Sequence, residues 1–174
     1  MAHRLGLSLD AGAAALGSFR GVARRFELRG EAAGVAVVDS YDHLPTEVAA
    51  ALAAARSGGW RRVVCCFQPH RYSRTEALWR DFADAFTDAD LLLVTDVYPA
   101  GEAARPGVTG KRIVDAVLDA HPHQRVAWLP TLDDATSYLA AELRSGDLCL
   151  TLGAGDLTTL PDRLLPLLER RIER

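Results

Sequence analysis

No stretch of this sequence approaches the roughly 20 apolar residues that a membrane-spanning helix requires. Met1 to Asp10 lacks the long apolar core of a secretion signal. Membrane-embedded and secreted classes are therefore set aside, and a cytoplasmic setting is expected. Cysteine is scarce as well: there are three, two of them the adjacent Cys65 and Cys66. That number builds no disulfide framework, and no second Cys/His cluster stands at zinc spacing. Cys65 and Cys66 are expected to be small strand residues pointing to opposite faces rather than redox groups. A dominant charge is missing too. The net charge of −3, with 25% charged and 49% hydrophobic residues, is that of an ordinary globular protein, not of a disordered or nucleic-acid-coating one. Neither nucleic acid nor membrane is an expected partner, so the basic residues have to act locally. Repeats and low-complexity segments are absent, and 174 residues suit one well-buried domain better than two.

What is present is a regular alternation. Ala11 to Gly21 is rich in Ala and Gly and reads as a short helix or a connector. Arg25–Arg29 and Val35–Asp39 flank the turn-prone residues 30–34, which predicts an antiparallel hairpin. Pro45–Arg56 reads as a helix with Pro in its permitted first turn, and Arg62–Phe67 as a continuous apolar strand. Ser73–Phe86 is predicted helical, announced by a Ser73-x-x-Glu76 capping box and striped by Leu78, Phe82 and Phe86. Strands follow at Leu91–Thr95, Arg125–Leu129 and Leu148–Leu152, and helices at Thr109–Ala120 and Thr131–Leu143. A last helix runs from Asp156, with Pro166 as a candidate bend. Apolar strands alternating with amphipathic helices specify a Rossmann-like α/β fold: a mainly parallel sheet, helices on both faces, and an N-terminal antiparallel hairpin.

In such sheets ligands gather where the strands end at their carboxyl termini, because the loops diverge there and helix N-termini point into the crevice. The polar, Gly-rich and Pro-rich segments fall at those ends: residues 39–43, 68–74, 96–102 and 153–156. The second contains His70, Arg71 and Arg74 at a predicted helix start, where the helix dipole disfavours positive charge by typically 0.3–1 kcal/mol each. A carboxylate or phosphate would offset that, since the guanidinium fork favours planar, bidentate partners. The competing reading is a scaffold ion pair of Arg71 or Arg74 with Glu76, Asp81 or Asp96. The turn Gly153-Ala154-Gly155 is open to two readings, a phosphate cradle or a tight turn, and lacks full dinucleotide spacing. Lys111 follows Gly110, but no Gly lies five residues earlier and no Ser or Thr follows, so this is not a phosphate loop.

Taken together, Phe67-Gln68-Pro69-His70-Arg71-Tyr72-Ser73-Arg74-Thr75, Asp96-Val97-Tyr98-Pro99-Ala100-Gly101-Glu102 and Gly153-Ala154-Gly155-Asp156 closely resemble the C-terminal domain of the Mur ligases, in their alanine-adding branch. Phe19-Arg20-Gly21-Val22-Ala23-Arg24-Arg25-Phe26-Glu27 is similar to that family's lead into its third domain. The resemblance implies that residues 1–24 are a connector and 25–174 the amino-acid-binding domain, with the UDP-sugar and central ATPase domains outside this chain. It implies an ATP-dependent amide ligase of peptidoglycan synthesis, in which ATP, with Mg2+, phosphorylates the carboxylate of UDP-N-acetylmuramate and L-alanine attacks the acyl phosphate. This chain alone, without the phosphate loop, is expected to be inactive. By position, His70, Arg71 and Arg74 match the amino-acid pocket. Tyr41 and His43 match the nucleotide-facing motif, and Tyr98, Glu102 and Asp156 are candidate rim residues. No metal ligand is assigned.

One segment departs from the family pattern. Where the family usually reads Asp-Asp-Tyr, a small residue, then His-His-Pro, this chain has Asp39-Ser40-Tyr41-Asp42-His43-Leu44-Pro45. Ser40 replaces an acid and supplies no charge, Asp42 takes a normally small position, and Leu44 replaces the second histidine. A divergent, non-catalytic binding domain is the alternative that these changes favour. A peptide-recycling ligase of the same superfamily fits less well, because its counterpart motif usually lacks the His-Arg-Tyr-Ser-Arg string.

Overall fold

The computed structural model describes residues 8–17 and 22–171. The expected connector is helical over α1 (Leu9–Gly17). Phe19-Arg20-Gly21, part of the lead segment, lies outside the described residues.

The hairpin forms from β1 (Glu27–Ala32) and β2 (Val35–Ser40), paired antiparallel. Its turn is shorter than the composition of residues 30–34 suggested. Ala33 and Gly34 both take positive φ, 52° and 72°, as a two-residue turn matched to strand twist requires. Next come α2 (Pro45–Arg56), β3 (Arg62–Phe67), α3 (Tyr72–Leu78), β4 (Leu91–Val94), α4 (Lys111–Ala120), β5 (Val126–Trp128), α5 (Leu132–Glu142), β6 (Asp147–Leu152) and α6 (Leu160–Glu169). The six strands lie in the order β1-β2-β6-β3-β4-β5, parallel from β2 onward. Strand β6 enters last, between β2 and β3. Connections therefore leave the sheet centre in opposite directions, and the crevice this creates opens at the carboxyl ends of β6 and β3.

Each face of the sheet has its own core. Val38, Cys65, Phe67, Leu92 and Leu150 pack under α2, α3 and α4; Val37, Val64, Cys66, Leu93 and Cys149 pack under α5 and α6. Cys65 and Cys66 thus do face opposite sides, and burial pushes their thiols well above the ordinary range. A buried, protonated thiol is inert, which fits a packing role.

The predicted helix over Ser73–Phe86 is corrected at both ends. It starts a residue early and stops at Leu78, passing into a 3-10 turn at Trp79–Phe82. The stripe survives nonetheless: Phe82 and Phe86 are buried and stack with ring centroids 6.0 Å apart, against Phe67. The capping box does not form. Ser73 lies inside the first turn, and Glu76 pairs with Arg105. The final helix is also divided, a 3-10 turn at Asp156–Thr159 preceding α6, with Pro166 inside it.

Candidate functional site

Four loops, those after β2, β6, β3 and β4, are sewn together through their backbones. Gly153 N donates to Ser40 O at 3.1 Å, Gln68 N to Leu152 O at 3.0 Å and Thr95 N to Phe67 O at 3.0 Å. A further pair locks the loop after β3 to the loop after β4: Tyr98 N donates to Pro69 O and Arg71 N to Tyr98 O, both at 2.8 Å. Side chains at these positions therefore hang on a rigid frame.

Beneath the frame lies Asp39, fully buried. It accepts from Thr151 Oγ1 at 2.7 Å, Thr158 Oγ1 at 2.8 Å and Arg24 Nε at 3.3 Å. Arg24 goes on to donate to Gly153 O at 2.6 Å and covers the Tyr41 ring at 4.8 Å. Gln68, also buried, donates to Asp156 Oδ1 at 2.7 Å and accepts from Leu157 N at 3.1 Å. This explains Gly155, where a Cβ would lie 2.4 Å from Tyr98 Cγ and 2.5 Å from Gln68 Oε1. The Gly153–Gly155 turn is filled from inside by protein, so the tight-turn reading holds over the phosphate cradle. Gln68 and Arg24 were missed as candidates; the one available signal was a polar residue directly continuing the apolar run of β3.

The cationic corner sits on top. Arg71 is exposed and takes φ 69°, a conformation that costs a non-glycine residue on the order of 1–3 kcal/mol and persists only where its surroundings enforce it. The bond to Tyr98 O enforces it from one side. On the other, Arg71 O accepts from Thr75 N at 3.0 Å and Thr75 Oγ1 at 2.9 Å. Among the described residues the Arg71 guanidinium has no carboxylate within 4.0 Å. Arg74 has none among them either; it bonds His70 Nδ1 at 3.2 Å. Of the expected alternative partners, Glu76 holds Arg105, Asp96 accepts from Gly110 N at 2.9 Å, and Asp81 makes no ion pair within 4.0 Å with either arginine.

The negative charge that the dipole argument calls for is supplied in part by Glu102. It reaches from the loop after β4 to accept from Ser73 N at 2.8 Å and Ser73 Oγ at 2.5 Å. The Ser73 hydroxyl and amide together hold its carboxyl below the usual range, with help from Arg105 and Arg71. The acceptor expected from Glu76 in sequence thus comes from Glu102 in space. Because a guanidinium always donates, His70 Nδ1 must accept and Nε2 carries the proton. Burial, reinforced by Arg74, His43 and Arg71, lowers the His70 pKa and keeps the ring neutral.

A row of rings links this corner to the loop after β2. Tyr41 meets His43 edge-on at 5.4 Å, His43 meets His70 at 5.7 Å, and His70 stacks on Tyr98 at 5.7 Å. The two groups that motif position assigned to separate ligands are neighbours. His43 Nδ1 donates to Tyr41 O at 3.0 Å, and Glu47 accepts from the amides of His43 and Leu44 at 3.0 and 3.1 Å. Burial opposes ionisation of Glu47, but those amides outweigh it and hold its pKa down.

Fold and rim together define an α/β domain whose open edge carries guanidinium groups, imidazoles and tyrosines at a topological switch point. Residues 24–155 match the family described as Mur ligase, glutamate ligase domain, and the chain belongs to that family. It is 54% identical over 156 residues to the UDP-N-acetylmuramate–L-alanine ligase of Anaeromyxobacter dehalogenans strain 2CP-1, a match spanning 90% of this chain and 34% of that protein. To the enzyme of the same name from Myxococcus xanthus it is 49% identical over 168 residues, spanning 97% and 35%. The solved UDP-N-acetylmuramate–alanine ligase of Thermotoga maritima superposes with a TM-score of 0.79 at 26% identity, over 99% of this chain and 36% of that one. The chain thus spans about a third of the length of the relatives it matches.

Proposed function

We propose that this chain is the C-terminal domain of a cytoplasmic, alanine-adding Mur ligase, with residues 25–174 forming the domain and 1–24 leading into it. Its part in joining L-alanine to UDP-N-acetylmuramate, for peptidoglycan synthesis, is the amino-acid pocket and one wall of the ATP site. The observation that carries this reading is the pair of rim arginines, Arg71 and Arg74, that have no carboxylate partner among the described residues. A rim corner whose arginines have no carboxylate partner among the described residues, on a strained backbone, is poorly explained as scaffold. The carboxylate of an amino acid fits it, because a planar fork holds a carboxylate by two parallel hydrogen bonds. His70, neutral and accepting from Arg74, fixes the direction of that fork. Tyr41, under Arg24, offers an aromatic wall toward a nucleotide, with His43 between the two ligands. Tyr98 and Asp156 shape the rim through His70 and Gln68.

The phosphates and the metal are a different matter. The Gly153–Gly155 turn is packed solid, and among the described residues no group of three His, Cys, Asp or Glu side chains could hold a metal ion. Residues of this domain do not fit those groups, so ATP phosphates and Mg2+ fall to the rest of the enzyme, and the chain alone is inactive.

One observation favours a second reading, a non-catalytic binding domain. Ser40 Oγ donates to Asp42 Oδ2 at 2.6 Å, and Asp42 faces Arg25 at 3.5 Å, so the divergent segment is satisfied internally. Joining the chain to the remaining two thirds of the Myxococcus xanthus enzyme separates the readings. Alanine-dependent ATP turnover is expected; a folded chimera without it supports the binding domain. In the active chimera, Arg71→Ala is expected to raise KM for alanine about 10- to 100-fold, the loss of a charge-assisted hydrogen bond worth about 1.5–3 kcal/mol. KM for ATP should move by less than about twofold. Equal effects on both would remove Arg71 from the amino-acid pocket.

A further inference from the structure

An α-amino acid arrives with a positive ammonium group, and an ammonium is no nucleophile. Whatever holds its carboxylate at Arg71 and Arg74, a proton acceptor has to stand within one small molecule's reach of them. His70 Nδ1 is occupied by Arg74 and its Nε2 carries the proton, so His70 has no free lone pair. Both oxygens of Glu102 are taken by Ser73, and those bonds hold its carboxyl low, which makes it a weak base. Asp42 is bound by Ser40 and faces Arg25. Asp96 accepts from Gly110 N. Asp156 is bound by Gln68.

His43 is left. Its Nδ1 faces only acceptors, Tyr41 O at 3.0 Å and Glu47 Oε2 at 3.5 Å, so in the neutral ring Nδ1 carries the proton and Nε2 holds the lone pair. Nε2 makes no hydrogen bond among the described residues and is not sealed from solvent. The ring is 5.7 Å from His70, whose Nδ1 is itself 3.2 Å from Arg74. Cations for a carboxylate and a free lone pair for an ammonium are thus neighbours on the same rim, the complement of an amino-acid zwitterion.

We infer that His43 is the general base for the incoming amine: Nε2 takes one proton from the ammonium, giving imidazolium and a neutral amine. The amine's freed electron pair then forms the C–N bond to the acyl phosphate carbon, phosphate leaves with the C–O electrons, and the second proton lost by the nitrogen goes to the departing phosphate, which leaves as hydrogen phosphate. The backbone carbonyl of Tyr41 and the carboxylate of Glu47 stabilise the Nδ1–H of the imidazolium, the orienting arrangement a histidine base needs. Charged and titratable groups facing this ring are Tyr41 from its own loop, Glu47 from α2, and His70 from the loop after β3, with Arg71 of that loop and Arg74 of α3 beside His70. The inference rests on the amino-acid-pocket reading above.

The test uses the complete ligase carrying this domain, with His43→Gln, which keeps a donor for Tyr41 O and removes the base. Turnover at saturating alanine is expected to fall about 100-fold or more. KM for alanine should change by less than about threefold, since the carboxylate contacts remain. Activity of the variant should climb steadily with pH, as unprotonated alanine becomes available, where the parent enzyme levels off. Hydroxylamine, already unprotonated at neutral pH, needs no base, so its capture of the acyl phosphate should proceed at the parent rate and doubles as the folding control. An equal loss with hydroxylamine and alanine, or turnover within about threefold of the parent, overturns the assignment. Should Arg71→Ala leave KM for alanine unmoved, the pocket reading itself fails; if only His43→Gln is silent, the pocket stands and the base lies elsewhere.

Discussion

Replacing Asp39 with asparagine removes one charge and almost no volume from under the rim, and is expected to destabilise the domain by about 2–3 kcal/mol. Removing one partner of a buried ion pair typically costs about 3–5 kcal/mol, because the other charge is left uncompensated. Here the Asp39 side chain is 1% exposed, while Arg24 and Arg29 keep 25% and 22% and retain other acceptors, Gly153 O and Asp162. That residual hydration and pairing brings the figure toward the low end. For a domain of this size, about 2–4 °C is lost per kcal/mol, so the thermal midpoint should drop by about 4–12 °C. Melting followed by near- and far-ultraviolet circular dichroism, with urea titration alongside, measures it. High salt should not narrow the gap between variant and parent, since a buried pair is poorly screened. Asp162→Asn is the control: that carboxylate is 65% exposed, and the change should cost no more than about 1 kcal/mol. A midpoint shift for Asp39→Asn no larger than the control's would refute the claim that Asp39 is the hub joining β2, β6 and the Arg24 segment.

Two further outcomes follow from the site. Gly155→Ala forces a Cβ into Tyr98 and Gln68 and should cost about 1–3 kcal/mol in urea unfolding through overpacking; unchanged stability would revive the phosphate-cradle reading of that turn. His70 has its pKa lowered in the folded state, so below the ordinary histidine value of 6.5 the unfolded chain binds protons that the folded one resists, and stability falls with falling pH. His70→Gln should flatten urea-measured stability between about pH 5 and 7, and an unchanged slope would mean that His70 is not the group responsible.

The alternation of apolar runs with amphipathic segments was enough to read the fold, because continuous strands such as Arg62–Phe67 are stable only between two helical layers. The rim was legible for the same reason: His70, Arg71, Tyr98 and Asp156 all follow strand ends. What misled was locality. Ser73-x-x-Glu76 has the spacing of a capping box, yet Glu102, which lies 29 residues from Ser73, reaches its amide and hydroxyl. The positive φ of Arg71 had already moved the helix start one residue forward. Gln68 went unnoticed because a single polar residue after a strand resembles any loop residue until its two partners, Asp156 and Leu157, are brought beside it.

Periodicity, turn residues and the order of motifs therefore determined the architecture and which edge of the sheet carries chemistry, since both depend on neighbours within a few positions along the chain. Only the tertiary structure decided which cations lack an internal carboxylate and which imidazole nitrogen is free. Those properties depend on partners that lie far away in sequence: His43 and His70 become a pair only when β6 is inserted between β2 and β3 and brings their two loops onto the same edge.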